Sequence, residues 1–525
     1  VNASVQRVGV DRGVKSDVVE IGAGPVPFTD LSRVALDGVP VRVRHDEIDG
    51  LLARSEAALR AACERGSAVY GTSTGYGSGC GNRISVEQTQ ALGENLIRYH
   101  GCGVGEPLPV PVIRGAMLSR LLCFRLGYSG VSRELCAQLA AFLNAGITPV
   151  VPALGSVGAS GDLTPMSYVA AALGGEREVF FRERRVPAAA ALREVGLLPY
   201  RFQPKEPLAM INGTAVMTGA AVLAVVRAGR LLSAATAATA LSVHALAGHA
   251  HHFSPLIFAA KPFPGMVASA ARLRELLRAR AHVEEASTQE ALQDPYSLRC
   301  APHVLGVLGD ALAWVERWIE LEANSADDNP LLDPESGEVL TGGNFYGGHV
   351  SFAMDALKTA VASVGDLCDR QLALLVDPRY SRGLPAGLAA PGPAARGLHH
   401  GFKGMQITAS ALAAEALHAT LPVASFSRST ESHNQDKVSM GTIAARSALR
   451  VIELVEGVVA VHLLGAAQGA QQRGQLEARP ALAALVQRVR ELSRELAEDR
   501  PLDEDLRRVQ AAIGAGAFHD VGASA

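Results

Sequence analysis

Between residues 206 and 496, apolar side chains recur at helical spacing in long blocks: 215–247, 266–292, 300–322, 350–375, 404–420, 436–470 and 480–496. Short stretches rich in Gly, Pro, Asn and Asp divide them. This pattern predicts long helices joined by short loops, the ingredients of an antiparallel bundle. The blocks 215–247 and 436–470 are apolar around most of their circumference, which calls for burial on several sides. Before residue 206 the pattern is mixed. The β-prone "VPVRVRHDEI" runs into an amphipathic helix, "EIDGLLARSEAALRAACERG". "SVEQTQALGENLIRYH" reads as a helix opened by a Ser85/Gln88 capping box. "PVIRGAMLSRLLCFRLGYSG" and "SRELCAQLAAFLNAG" are two further helices, each closed by glycine. A small hairpin and a short helix follow in "YVAAALGGEREVFFRERRVPAAAALREVG". The expected fold is all-α: a long antiparallel helix bundle over 206–525, with a smaller mixed N-terminal domain over 1–205.

The stretch Leu208–Val226 carries no charge for nineteen residues, long enough to cross a bilayer. Asn212, two threonines and two glycines interrupt it, and Arg227 and Arg230 follow at once, so it reads as a helix start buried in a soluble bundle. Composition supports this: 525 residues at 48% hydrophobic can bury a large core, and 5% aromatics with recurrent Ala and Leu favour helix packing on helix. A net charge of −3, from 49 basic and 52 acidic residues, gives no electrostatic case for nucleic acid or an anionic membrane. Arginines scattered along helical segments read as a solvated face. Cys63, Cys80, Cys102, Cys123, Cys136, Cys300 and Cys368 form no CxxC pair, and the first twenty residues lack the apolar core of a secretory signal. Reduced thiols in a cytoplasmic protein are therefore expected.

Residues 151–165, "VPALGSVGASGDLTP", are too poor in bulky side chains to add to a core. Their chemistry lies in the backbone. In a tight enough bend, the Gly161 nitrogen can attack the Ala159 carbonyl carbon and expel water. Loss of the Ser160 hydroxyl then leaves an exocyclic methylene, giving 4-methylidene-imidazol-5-one (MIO). Small residues suit that bend, since glycine reaches unusual φ/ψ and alanine crowds little. Natural side chains are not electrophilic, so a protein that needs an electrophile imports one or builds it.

"ASG" alone carries no weight, but "GSVGASGDLTPMSYVA" resembles the signature of the aromatic amino-acid ammonia-lyase family, which includes histidine, phenylalanine and tyrosine lyases and related 2,3-aminomutases. Further motifs of that family stand in family order along nearly the whole chain: "YGTSTGYG", "NLIRYHGCGVG", "LAMINGTAVMTG", "QDPYSLRCAP", "NSADDNPL", "GGNFYGGHV" and "NQDKVSMGT". The resemblance implies a fumarase/aspartase-like bundle, MIO formed autocatalytically from Ala159, Ser160 and Gly161 and carried by the 1–205 domain, and a homotetramer whose sites draw on several chains. It implies no metal and no dissociable cofactor. Tyr70 matches the family's base, Arg299 its carboxylate clamp, Asn212 a position near electrophile and carboxylate, and Tyr296 a hydroxyl beside the prosthetic ring. Gln293 and Phe345 fall on active-site positions, as do Asn434 and Gln435 in "HNQDKVSM". Glu431 matches a glutamate that phenylalanine lyases place near the substrate amine. Gly71, Gly75 and Gly77 read as a lid loop, with Gly77 against the substrate. No Lys-Ser or Lys-Thr follows them, so they are not a Walker-type phosphate loop. Asp162 either holds the turn or takes part in the chemistry.

The pair that faces the substrate ring in this family is Tyr99-His100 here, where histidine lyases usually carry Ser-His and phenylalanine lyases Phe-Leu. His100 suits a phenol or an imidazole. Histidine lyases carry glutamate at the position of Gln435, and a neutral amide loses that charge complement. On this balance L-tyrosine is the expected substrate, giving 4-coumarate, with phenylalanine next. Histidine ammonia-lyase and a 2,3-aminomutase are the alternatives. A metal site in "GHAHH" (His249, His251, His252) has no acidic or cysteine partner nearby in sequence and is not expected.

Overall fold

The computed structural model describes residues 17–279, 292–389 and 397–519. Helix makes up 61% of the chain and the strands are few and short. Contacts divide the chain into two compact units, and the division is not a single cut at 205/206. One unit holds Val1–Gly155, Thr164–Ala215 and Ala323–Asn344; the other holds Ser156–Leu163, Val216–Glu322 and Phe345–Ala525. The segment around Ala159–Gly161 thus belongs with the long helices rather than with the N-terminal residues that surround it in sequence.

The first unit is mixed, as its pattern predicts. Strands Val19–Ile21 and Val41–Val43 pair in parallel, and the helix His45–Glu64 follows. Val86–Tyr99 starts on the expected capping box, with the Ser85 amide donating to Gln88 Oε1 at 3.2 Å. Arg133–Ala145 is capped by the Ser132 hydroxyl and ends at Gly146, whose φ is +67°. Glu178–Phe181 and Arg184–Pro187 form the hairpin, before the helix Ala188–Glu194. The core is built on Val110–Phe124, buried at every position from Val112 onward, with Phe28–Leu36 and Arg133–Ala145 packed against it. Here the expected solvated arginines fail. Arg114, Arg120 and Arg125 are all buried. Arg114 donates to the carbonyls of Val34 and Leu143, and Arg125 to those of Gly22, Ala23 and Gly24, so the guanidinium forks satisfy carbonyls that helix ends and loops leave open.

In the second unit every long apolar block forms a helix: Ala215–Ala245, Pro264–Leu277, Ala301–Ala323, Gly348–Val376, Lys403–His418, Gly441–Arg473 and Pro480–Leu492. Residues 280–291 of the 266–292 block lie outside the described residues. Three boundaries differ from expectation. The helix expected over 266–292 stops at Leu277, where Arg278 leaves the helical region with a ψ of +123°. The helix expected from 436 begins at Gly441, because residues 438–440 are committed elsewhere, Met440 having a φ of +63°. The helix expected to reach 496 stops at Leu492, where Ser493 turns extended. A further helix, Asp503–Gly514, was hidden in the sequence by its narrow apolar stripe of Val509 and Ile513.

Gly441–Arg473 is the axis of this unit and is buried almost all round from Leu454 to Ala470. The bundle mixes directions. Gly365, Leu372 and Leu375 meet Val455, Gly465 and Gly469 in the same order, so Gly348–Val376 runs parallel to the axis. Lys403–His418 runs antiparallel to it, with Glu415 bonded to Arg450 and Phe402 near Gly465. Glycine sets the closest approach: a Cβ on Gly365 would stand 2.9 Å from Val455, and one on Gly457 2.8 Å from Leu412. Ala215–Ala245 is long and apolar enough to cross a membrane, with mean hydropathy 1.6 in its most apolar window, yet 72% of that window is buried in the protein. Its polar groups find helix partners: Thr239 donates to Gln371 Oε1 at 3.0 Å, and Ser242 lies 2.7 Å from His462 Nε2.

Candidate active site

Ser156–Leu163 is fastened to the start of the Gly441–Arg473 helix. The Met440 amide donates to the Val157 carbonyl at 3.0 Å, and the Ser439 hydroxyl to the Gly158 carbonyl at 3.0 Å. Gly158 and Gly161 adopt φ of +64° and +72°, which L side chains avoid. A Cβ on Gly158 would also lie 2.5 Å from Ser439 Oγ. Ser439 and Met440 are therefore the seat of this turn, which is why they do not join the helix. Ala159 and Ser160 stand at its crest, half-buried. A tight turn of small residues with left-handed glycines at Gly158 and Gly161 is one that MIO fits.

Asp162 lies below the crest, fully buried. Its Oδ2 accepts the Met217 amide at 2.8 Å, in the first turn of Ala215–Ala245, and its Oδ1 accepts the Thr442 hydroxyl. Burial raises its carboxyl to about 6, against the hydrogen bonds from Thr442, Met217 and Ser156 that favour the charged form. Of the two roles that sequence leaves open, these contacts make Asp162 the tie between the turn and two helix N-termini.

Gln435 is brought directly to the turn, its Nε2 donating to Ser160 Oγ at 2.9 Å. The Thr430 hydroxyl donates to Gln435 Oε1 at 2.9 Å and so fixes which end of the amide faces Ser160. Between these two residues, Glu431, Ser432 and His433 all have positive φ (+52°, +53° and +64°), an unusual run that holds Glu431 and Asn434 on an exposed turn. Tyr296 and Arg299 share a short helix, with the guanidinium carbon 4.6 Å from the Tyr296 ring centroid. Tyr296 is exposed and Arg299 half-buried. Arg299 Nε donates to the Asp294 carbonyl at 3.1 Å. The buried Asp294 carboxylate is held by Arg382 at 2.8 Å and by the His249 amide at 2.6 Å. His249 and His252 of "GHAHH" flank this aspartate, with His252 Nε2 3.5 Å from it. Among the described residues no group of three or more His, Cys, Asp or Glu is placed to hold a metal ion. Gln293 is exposed next to Asp294, and Phe345 is half-buried ahead of Gly348–Val376.

The remaining expected residues lie on the first unit. Tyr70 Oη accepts the Gly77 amide at 2.8 Å, so the glycine loop folds back onto the tyrosine hydroxyl. Tyr99 and His100 end the Val86–Tyr99 helix with ring centroids 4.5 Å apart, Tyr99 exposed. Burial lowers His100 to about 4, so it presents a neutral imidazole at physiological pH. Asn212 is buried, and Arg120 Nη1 donates to its carbonyl at 2.9 Å and to that of Ala209 at 3.0 Å. Arg120 Nη2 reaches both Asp327 oxygens, at 2.8 and 2.9 Å, and Asp327 accepts the Thr214 amide and hydroxyl, each at 2.7 Å. Sequence reasoning did not single out Arg120, Asp327, Ser439 or Thr442. For Asp327, Ser439 and Thr442 the signal was present as polar residues inside the "ADDNP" and "KVSMGT" clusters, whose partners stand far away in the chain; Arg120 lies in an apolar helix and carried none. A cavity of about 370 Å³ in the first unit, lined by Gln90, Arg98, Glu176, Tyr200 and Phe202, contains none of the expected site residues.

His100 carries a pH prediction. Unfolded, it titrates near 6.5; folded, near 4. Between those values the unfolded chain binds the extra proton, so its contribution to stability is full above about pH 6.5 and is lost as pH falls through 4. Urea unfolding at neutral pH and near pH 4.5 should show a smaller acid-induced loss in His100→Gln than in the wild type. An equal loss in both proteins would contradict the assignment.

Known proteins share this fold. Residues 26–491 match the family described as aromatic amino acid lyase. A histidine ammonia-lyase of Geobacillus kaustophilus is 39% identical over 458 residues, covering 87% of this chain and 90% of that protein. The tyrosine aminomutase of Streptomyces globisporus superposes with a TM-score of 0.89 at 34% identity, covering 96% of this chain and 98% of that one. The histidine ammonia-lyase of Trypanosoma cruzi gives 0.87 at 32% identity, over 96% and 95%. With the family matched across most of its length, and relatives well above the identity at which only a fold is shared, the chain belongs to the aromatic amino acid lyases and is an enzyme of the ammonia-lyase type.

Proposed function

We propose that the chain eliminates ammonia from an aromatic α-amino acid with a polar ring, with L-histidine as substrate and urocanate as product. The observation that carries the elimination is the Ala159–Gly161 turn, seated on Ser439 and Met440 with Ser160 at its crest. The curated relatives at 37–40% identity are histidine ammonia-lyases, which favours histidine over the tyrosine expected from sequence. A neutral His100 suits an imidazole as donor or acceptor. One observation supports a second reading, L-tyrosine. Gln435, which donates to Ser160, is an uncharged amide where histidine lyases carry glutamate.

MIO, once formed, would supply an electrophilic carbon that turns the substrate amine into a better leaving group. The chain's own residues do the rest. Arg299 offers a planar fork that fixes the substrate carboxylate, a contact lysine cannot reproduce. Tyr70 takes the β proton; a phenol of ordinary pKa about 10 needs a donor to stabilise its anion, and the Gly77 amide is placed to give one. Gln293, Tyr296, Phe345, Glu431 and Asn434 line the substrate, with Asn212 near its carboxylate. We propose a homotetramer, in keeping with the exposed Phe352 and Ile407 on the long helices and Leu421 just beyond one. Sedimentation should give four chains, and a monomeric active enzyme would refute it. Seven unpaired cysteines fit a reducing, cytoplasmic setting.

Parallel assays with histidine, tyrosine and phenylalanine, read for urocanate, 4-coumarate, cinnamate and β-amino acids, test the proposal. Urocanate in clear excess supports it, and coumarate in excess selects the second reading. A β-amino acid as main product would replace a lyase with an aminomutase.

A further inference from the structure

We infer that the Ser156 and Ser439 hydroxyls together position the Ala159–Gly161 backbone for its own ring closure, an inference that rests on the function proposed above. Ring closure requires one amide nitrogen to attack a carbonyl two residues back. That attack is rare in peptides because the chain seldom holds the two atoms together and the amide is a poor nucleophile. A fold can remove only the first obstacle, by fixing the ends of the turn beforehand.

The contacts do this from both sides. Ser156 Oγ accepts the Gly158 amide at 3.1 Å, on the residue before Ala159. The same oxygen lies 3.4 Å from the Gly161 carbonyl, on the last residue of the tripeptide. One hydroxyl therefore spans the three residues that must close. It is itself held by Thr442 Oγ1 at 3.0 Å and lies 3.3 Å from Asp162 Oδ1. Ser439, on the chain leading into the Gly441–Arg473 helix, donates to the Gly158 carbonyl, and its Oγ also accepts the Gly441 amide at 3.3 Å. The helix start thus grips the entrance of the turn while Ser156 links entrance to exit. Ala159 and Ser160 take none of these clamp bonds and stay half-buried at the crest, as a segment that must change covalent structure requires.

The chemistry balances without an oxidant. The Gly161 nitrogen bonds to the Ala159 carbonyl carbon, and that oxygen leaves as water with the Gly161 and Ser160 amide protons, leaving a C=N bond from that carbon to the Ser160 nitrogen. The Ser160 Cα proton and hydroxyl leave as a second water, forming the methylidene double bond. Ser156 and Ser439 contribute no atom to either step, so they are positioning residues.

The test follows maturation rather than turnover. Wild type, Ser156→Ala, Ser439→Ala, the double variant and Ser156→Thr are made by cell-free synthesis and sampled over time for intact mass, with circular dichroism and sedimentation as controls of folding. Wild-type chains should become lighter by two waters. Each alanine variant should fold and associate normally yet lose its waters at least about tenfold more slowly. The double variant should remain mostly at full mass, and Ser156→Thr, which restores a hydroxyl, should mature near the wild-type rate. Alanine variants that mature as fast as wild type overturn the inference while leaving the proposed function standing. Ser156→Thr as slow as Ser156→Ala also counts against it, because crowding and not the hydroxyl would then govern the rate. A wild type that never loses water removes the proposed function, and the inference with it.

Discussion

Replacing Ser160 with alanine is expected to lower turnover by about 10⁴-fold or more, the scale on which enzymes lose activity when a principal catalytic group is deleted, while the protein stays folded. The substitution removes the only hydroxyl whose departure can create the methylidene. In the uncyclised chain it also removes the hydrogen bond from Gln435 Nε2, which ring formation itself gives up when the hydroxyl leaves. Losing that neutral bond at a half-buried site costs about 1 kcal/mol, too little to unfold a chain of this size. Activity and stability should therefore separate. Kinetic assays with the preferred substrate, paired with thermal unfolding and the near-ultraviolet absorbance shoulder of the prosthetic group, check this. A Ser160→Ala protein with wild-type turnover would refute the assignment, and one that fails to fold would show that Ser160 is structural.

The second large effect falls on stability. Asp327→Ala should destabilise the protein by about 3–5 kcal/mol, because it leaves the fully buried Arg120 guanidinium without its counter-charge. The same change strips the Thr214 amide and hydroxyl of their acceptor, loosening the "INGT" turn that carries Asn212. Arg120→Lys keeps the charge but cannot hold both Asp327 oxygens and the carbonyls of Ala209 and Asn212 at once, so it should fall between wild type and Asp327→Ala. Denaturant unfolding at fixed protein concentration measures both. A loss below about 1 kcal/mol for Asp327→Ala, the range of exposed ion pairs, would mean that the pair is solvated in practice.

These two predictions mark where sequence is legible and where it is not. Helices longer than twenty residues announce themselves because their apolar periodicity repeats many times, so Ala301–Ala323 and Gly348–Val376 fall within a residue or two of expectation. Ser160 is legible because its chemistry is local, needing only its two neighbours. Arg120 is not, because its acceptors stand about 90 and 207 residues away, and a lone arginine on a helix looks the same whether it faces water or Asp327. The start of the Gly441–Arg473 helix is misjudged for a similar reason. Val438, Ser439 and Met440 have helix-compatible side chains, but the turn at Val157 and Gly158 recruits Ser439 and Met440, and the Val438 amide donates to the Ser427 hydroxyl. Asp162 sits beside the reactive tripeptide in sequence, and only its bonds to Met217 and Thr442 show that it ties the turn to two helices. The substrate is the least legible feature, because the sequence readings of Tyr99-His100 and Gln435 favour different rings.

The most direct measurement is the mass of the proteolytic peptide containing residues 156–163, taken from the purified native enzyme. If the backbone there has become an electrophile, the peptide weighs less than its sequence by two molecules of water, with the difference confined to Ala159–Gly161. A peptide at full sequence mass, from a preparation that still releases ammonia from an aromatic amino acid, would contradict the account at its root.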